Sequence, residues 1–374
     1  MHQIETSHAG ALLEIDLGAI RANYRALRAR LGGTAAAGVV KADAYGLGAA
    51  RVASVLADEG CRTFFVAHLD EAIALRPHVP AAAALYVLNG LPAGTEAEAA
   101  ARGITPVLNS LGQIDAWVAH ARRREQRLPA AIQLDSGMSR MGLDAAELDA
   151  LAAAPARLGF LDLRLVMSHL ACAEDAAHPM NRAQLARFDA ARRRLPPAPA
   201  SLANSSGVFL GPDFHFDLAR PGAALYGLAP VKGAANPMQP VVRLLGRIVQ
   251  TREIPAGARV GYGATWTAAR PSRIATVSVG YADGYRRSLS GRATALAGDT
   301  EIPLVGIVSM DSVTFDVTDA PHATEGGFVE LVGSRHPVDA LAAEGGTIGY
   351  EVLTSLGTRY ARSYADTRIE RLSA

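Results

Sequence analysis

The sequence predicts an α/β chain in two parts: an N-terminal (β/α)8 barrel of the TIM type and a C-terminal, mainly β domain. Three observations predict it. Short apolar runs alternate with amphipathic stretches through the first 235 residues. Polar and charged residues collect at the C-terminal ends of those runs. Helical patterning then nearly vanishes beyond Gly233-Ala234-Ala235-Asn236-Pro237, where strand-like runs are separated by Gly, Pro and Asp. The expected domains are 1–235 and 236–374.

Taken in order, Leu12–Asp16 reads as a strand that precedes the barrel and would pair with the β domain. Asp16 is a candidate N-cap. Leu17, Ile20, Tyr24, Leu27 and Leu31 follow at spacings of three and four, one apolar stripe on a helix. Eight barrel strands are expected at Gly38–Lys41, Thr63–His68, Leu85–Asn89, Thr105–Asn109, Ala131–Asp135, Leu163–His169, Ala200–Asn204 and Asp217–Arg220. Helical patterns at Ala49–Asp58, Ser110–Arg124, Ala145–Ala153 and Asn181–Arg194 separate most of them. Ser205–Phe216 carries little helix signal, so an open doubly wound sheet stays an alternative. In the second part, strands are expected at Val241–Thr251, Arg259–Tyr262, Ile274–Ser278, Thr300–Val305, Ser312–Val317 and Phe328–Val332, with a closing helix over Tyr350–Tyr360.

Composition narrows the function classes. The 374 residues are 49% hydrophobic, enough for a sizeable core, and the formal net charge is +1. The runs Arg122–Arg124 and Arg192–Arg194 sit at helix ends, where cations complement the dipole, so no nucleic-acid surface is expected. Cys61 and Cys172 are far apart and in no metal-ligand spacing, which fits neither a disulfide scaffold nor a metal site and agrees with a reducing cytoplasm. No apolar window reaches membrane-spanning length, and the first residues do not read as a signal peptide.

The chain is organised around Gly38-Val39-Val40-Lys41-Ala42-Asp43-Ala44-Tyr45-Gly46-Leu47-Gly48. A lysine ending a buried strand is costly unless it is paired or chemically used. One use is a Schiff base with a carbonyl cofactor; the alternative is a lysine that turns outward to a carboxylate. Barrel chemistry sits at the strand C-termini, where Asn89, Asn109, Asp135 to Arg140, His169, Asn204 and Arg220 also fall. The loops after strands seven and eight offer Ser205, Ser206 and Gly222 for a phosphate, or simply form turns. Tyr45 would add its phenol. A lysine, an anion cradle and no metal cluster suggest pyridoxal phosphate, with a Schiff-base aldolase as the runner-up. Arg220 separates them: a guanidinium facing the pyridine nitrogen keeps its own proton, which leaves the ring a weaker electron sink and favours quick reprotonation.

The motifs V-V-K-A-D-A-Y-G-L-G, D-S-G-M-S-R-M-G, S-H-L-A-C-A-E, A-N-S-S-G and R-P-G-A-A-L-Y-G, then G-Y-G-A-T-W, V-G-Y-A-D-G-Y, S-M-D-S and T-I-G-Y-E-V-L, occur in this order. In them the chain resembles the alanine racemases, pyridoxal-phosphate enzymes of fold type III, over nearly its whole length. The resemblance implies that Lys41 holds the cofactor and is the base for the D-enantiomer. Tyr262, from the partner subunit of a homodimer, would be the base for the L-enantiomer. A phenol, which ionises near pH 10, needs help in that role; His169 and Arg220 are the candidates, with His169 against the cofactor ring. Tyr45, Ser205, Gly222, Ala223 and Tyr350 would bind the phosphate and Asn204 would contact the cofactor. Arg140 and the backbone of Met310 would bind the substrate carboxylate, with Tyr281 and Asp311 bordering the way in.

Two positions depart from the family pattern. Gln133 stands where many members carry a lysine that becomes carbamylated and braces the arginine; the expectation is that Gln133, or a small anion beside it, does so here. Ile307 stands where an arginine is usual. The implied activity is interconversion of L- and D-alanine, supplying D-alanine for peptidoglycan. Alternatives are a related racemase of broader or different range, such as serine, and a non-catalytic pyridoxal-phosphate carrier.

Overall fold

The computed structural model describes residues 7–366. The chain forms two compact units: one over Ile20–Met238, the other combining the N-terminal residues up to Ala19 with those from Gln239 onward.

The first unit is a parallel barrel. Seven strands pair in chain order: Gly38–Val39, Thr63–Val66, Ala84–Val87, Ile104–Leu108, Leu128–Gln133, Leu161–Met167 and Ala200–Ser201. Closure comes from Leu218–Ala219. It pairs in parallel with Ala35–Ala36, and Arg220 N–H donates to Ala203 O at 2.8 Å while Ala37 N–H donates to Ala219 O at 2.9 Å. The segment 217–221 therefore bridges the last strand and the first, and the sheet is a barrel rather than the open alternative. Between Ala200–Ser201 and Leu218–Ala219 the connection holds only short 3-10 turns, as its weak helix signal predicts. Inside, Ala37, Val39, Phe65, Tyr86, Val107, Ala131, Leu165, Met167 and Leu218 form one cluster. Alanines opposite Phe65 and Tyr86, whose rings stack at 4.9 Å, let the bulky side chains share a narrow interior.

The helices cover this barrel because their apolar stripes match. In Leu17–Leu31 all five stripe residues are buried. Ala49–Asp58, Leu111–Arg123, Ala145–Ala153 and Pro179–Arg192 lie where the periodicity predicts. Ser110 and Asp144 cap two of them by accepting the N–H of Gln113 and Glu147. The second arginine run makes surface ion pairs: Arg192 and Arg193 meet Asp189, and Arg194 meets Asp149.

The second unit is built on the long strand Val242–Ile254. It pairs antiparallel with Ala11–Asp16, Ser272–Val277 and Phe328–Val332. Ala11–Asp16 also pairs in parallel with Ala361–Ala365, so the first and last described strands are neighbours. Several elements correct the sequence reading. The expected Tyr350–Tyr360 helix is Gly349–Thr354 only, and the chain then extends into the Ala361–Ala365 strand. A strand at Thr294–Ala297 and a helix at Val338–Glu344 were not expected. The Arg259–Tyr262 run shortens to Arg259–Val260, which pairs with Trp266–Thr267 and leaves Tyr262 in the turn between them.

Candidate active site

Lys41 follows the first barrel strand and opens a turn of unusual backbone. Ala42, Asp43, Ala44 and Tyr45 all take left-handed φ, between 52° and 57°. Such a conformation costs an L-residue roughly 1–2 kcal/mol each, so local preference alone does not produce it. It is held by Ala44 N–H to Val40 O and Gly48 N–H to Asp43 O, both 2.9 Å, by Ala49 N–H to Asp43 Oδ1 at 2.7 Å, and by Ala42 N–H to Glu71 Oε1 at 2.6 Å. The result is to bury Tyr45 beside Tyr226, ring centroids 4.7 Å apart. Tyr226 in turn donates to Val39 O at 2.8 Å.

Three cations and a histidine converge on the barrel's C-terminal end. Burial, then Arg140, then Arg220 push the Lys41 amine below its usual range, with Glu71 opposing. Arg220 is buried and has no carboxylate partner among the described residues; it donates to Ser201 Oγ, to Ser168 O at 2.6 Å and to His169 Nδ1 at 3.4 Å. Burial lowers it to about 9, so it remains cationic at neutral pH. A guanidinium has no acceptor, so Nδ1 of His169 must accept, and the neutral imidazole carries its proton on Nε2. Burial, then Arg220, Arg140 and Lys41, push His169 down to about 3. Positive groups gathered this way, with little acid among them, are an environment made for an anion.

Four of the phosphate candidates, Tyr45, Ser205, Gly222 and Ala223, also come together. Ser205 Oγ accepts from the N–H of Gly222 at 2.9 Å and of Ala224 at 3.1 Å, which leaves its own O–H to donate. A Cβ at Gly222 would sit 2.6 Å from the Tyr45 hydroxyl, so glycine keeps this cradle open. Gly222 lies at φ −128°, so space rather than backbone conformation requires the glycine. Ala223 starts the turn that follows. Asn204 Oδ1 is spent on the Gly207 N–H at 2.9 Å, leaving its amide donor.

Other strand-end residues are structural. Asn109 donates to Leu88 O and Val107 O, and Asn89 meets His68. Asp135 accepts from the N–H groups of Gly137, Met138 and Ser139, shaping the loop that presents an exposed Arg140. Gln133 is buried and its amide donates to Met141 O at 3.3 Å, with no direct hydrogen bond to Arg140 among the described residues, so of the two braces expected the direct one is not made.

In the second unit four predicted residues are among its exposed large side chains. Tyr262 is 70% exposed, Met310 53%, Tyr281 43% and Tyr350 38%, far from the burial expected of strand-packing side chains. Tyr281 and Ala282 donate their N–H groups to Ser309 O and Met310 O at 3.0 Å, tying these two loops together. Gly280 permits the approach, since a Cβ there would lie 2.3 Å from Met310 O. The turn bearing Tyr262 begins at Gly261, whose Cβ position is 3.4 Å from Ile307 N. The backbone of Ile307 therefore lies beside that turn.

Sequence reasoning missed several supports. Arg359 bonds both carboxylate oxygens of buried Asp283 and also reaches Asp311 at 2.6 Å. Gln184, fully buried, donates to His169 O at 2.8 Å and to Ser136 Oγ at 3.2 Å. These partners are too distant in sequence to be paired by spacing. One signal was available: of 37 lysines and arginines only Lys41 and Lys232 are lysines. A lysine kept in so arginine-dominated a chain calls for a reason arginine cannot supply, and a titratable amine is one.

Two family models match, the N-terminal domain of alanine racemase over residues 15–230 and its C-terminal domain over 241–364. A catabolic alanine racemase of Mesorhizobium japonicum is 53% identical over 364 residues, covering 96% of this chain and 95% of that protein. The alanine racemase of Brucella abortus is 50% identical over 371 residues, covering 95% and 94%. Among solved structures, the alanine racemase of Bartonella henselae with covalently bound pyridoxal phosphate superposes with a TM-score of 0.92 at 43% identity, covering 96% of this chain and all of that one. The biosynthetic enzyme of Pseudomonas aeruginosa gives 0.89 at 37%, covering 96% and 99%. The chain belongs to the alanine racemase family.

Proposed function

We propose that this protein interconverts L- and D-alanine with pyridoxal phosphate held on Lys41. The observation that carries the reading is the cationic cluster of Lys41, Arg140 and Arg220 around a neutral His169, beside the Gly222–Tyr45 cradle. These residues fit the cofactor: an amine of lowered pKa for its carbonyl, a glycine-widened cradle with Ser205, Ala223 and Tyr45 for its phosphate, and donors of Arg220, Asn204 and His169 for its ring. When bound, the cofactor supplies an electron sink for the electrons of the substrate's Cα–H bond.

The protein's own residues do the rest. Arg140 and the Met310 backbone orient the substrate carboxylate. Arg220 retains its proton at neutral pH and would withhold it from a pyridine nitrogen placed against it. Lys41 removes or returns the α-proton on the face used by the D-enantiomer. Tyr262 of the partner subunit does so on the opposite face; racemisation requires two bases because one returns the proton to the side it came from. The exposure of Tyr262 within its own chain supports a role at a surface covered by a second copy. The reading implies a homodimer acting in the cytoplasm to supply D-alanine for peptidoglycan.

Borohydride reduction of the cofactor-loaded protein, followed by peptide mapping, should put the cofactor on Lys41; trapping on Lys232 would overturn the reading. L-alanine in deuterium oxide should yield D-alanine carrying deuterium at Cα. L-serine should turn over far more slowly, and comparable rates would assign a broader racemase.

A further inference from the structure

We propose that Glu71 is a positioning residue for Lys41, tying the backbone just after the lysine to the end of the neighbouring barrel strand. This rests on the reading of Lys41 as the cofactor-bearing base. Glu71 Oε1 accepts from Ala42 N–H at 2.6 Å, and Oε2 accepts from Ala67 N–H at 2.7 Å and His68 N–H at 3.1 Å. The Ala67 and His68 bonds are local. They are what an acidic side chain in the first turn of the Leu69–Leu75 helix makes as a cap.

The Ala42 bond is different. It crosses 29 positions and has no part in capping. It lands on the first left-handed residue, on the peptide joined directly to Lys41. Four such residues, with only Gly46 and Gly48 following to ease the turn, do not hold this shape by local preference. An outside anchor at its first N–H fixes where the turn begins, and therefore where the Lys41 stem leaves the barrel rim.

The side-chain chemistry is specific to a carboxylate. Its two oxygens face opposite ways and serve two sets of donors. An amide has one oxygen, and its NH2 would be turned against an N–H on the other side. Glu71 also brings negative charge to Lys41, against Arg140 and Arg220 and with His169 close by. A helix cap alone would leave both the turn and the lysine unaffected.

The test compares full-length wild type, Glu71→Gln and Glu71→Ala, each stripped of cofactor and then reloaded with pyridoxal phosphate. Hydrogen exchange at the Ala42–Tyr45 amides should quicken by about tenfold or more in Glu71→Gln, as expected for loss of a local anchor. The pH midpoint for cofactor attachment to Lys41, read by visible absorbance and reductive trapping, should move lower because an opposing charge is gone. Glu71→Ala should move both readouts further; if it fails to fold, Glu71→Gln decides. Unchanged exchange at Ala42–Tyr45 with an unchanged midpoint, or a change confined to Leu69–Leu75, overturns the proposal and leaves Glu71 a helix cap. Trapping on Lys232 instead of Lys41 overturns the underlying reading whatever the exchange data give.

Discussion

Arg220 donates through Nη2 to Nδ1 of His169 at 3.4 Å, and this contact selects the tautomer of an imidazole that burial already holds neutral. The arginine cannot accept, so the imidazole must, and a charged imidazole would lose the bond and meet a cation instead. His169 is thereby fixed as a neutral ring with its proton on Nε2.

The first prediction concerns acid stability. The folded pKa of His169 lies at about 3, below the unfolded value near 6.5. Between those values the unfolded chain binds more protons than the folded one, so stability rises with pH across that window and is lost as pH falls through it. Denaturant unfolding from pH 7 to 4 should show this loss. Arg220→Met, which removes the second cause of the depression, should raise the His169 pKa while leaving the larger burial effect; an unshifted imidazole NMR titration would show that Arg220 does not act on it.

The cradle gives a second. Gly222→Ala places a methyl 2.6 Å from the Tyr45 hydroxyl without backbone strain. Overpacking of this kind costs about 1–3 kcal/mol, so pyridoxal-phosphate affinity should fall by roughly tenfold or more, given tenfold per 1.4 kcal/mol. Equilibrium dialysis of the reloaded protein measures it, with little change expected in the far-UV spectrum. Undiminished affinity would mean that the phosphate sits elsewhere.

Tyr262→Phe separates a racemase from a cofactor carrier. The variant keeps the ring and loses the proton-transfer group. It should bind cofactor normally, retain Lys41-side exchange of the α-proton of D-alanine, and lose at least about 100-fold of racemisation, the usual scale of a positioned acid–base group. Wild-type racemisation in Tyr262→Phe would remove the tyrosine from the mechanism.

Arg359 joins the two loops that carry Tyr281 and Met310. It is bidentate to Asp283, whose Oδ2 also accepts the Gly280 N–H at 2.9 Å, and it reaches Asp311. Arg359→Ala strands the buried Asp283 carboxylate and should cost roughly 1.5–3 kcal/mol of stability. Because the loops rather than Lys41 are loosened, KM should rise more than kcat falls. Equal stability and an unchanged KM would show that the loops hold without it.

Much of this molecule is legible from local chemistry. The stripe from Leu17 to Leu31 predicts its helix because burial at spacings of three and four needs no distant partner. Lys41 is visible because a charge after Val39 and Val40 conflicts with burial, and Ser205 and Gly222 because turn residues cluster after the last strands. The Tyr350–Tyr360 helix was overread because the strand at Ala361–Ala365 is specified by pairing with Ala11–Asp16, at the far end of the chain. The left-handed turn was invisible for a related reason: Ala, Asp, Ala and Tyr have no preference for it, and Glu71 supplies an anchor 29 positions away.

The sequence by itself determined the two-part architecture, the family and the identity of the residues that gather at the barrel mouth, because hydrophobic periodicity and motif chemistry are local properties. The tertiary structure decided the rest. Barrel closure depends on Leu218–Ala219 meeting Ala35–Ala36, and the tautomer of His169 depends on Arg220 meeting it from 51 positions away. Gln133 gives its amide to Met141 O, not directly to Arg140. The first two join segments distant in sequence, and in all three only the packed chain sets which donor faces which acceptor.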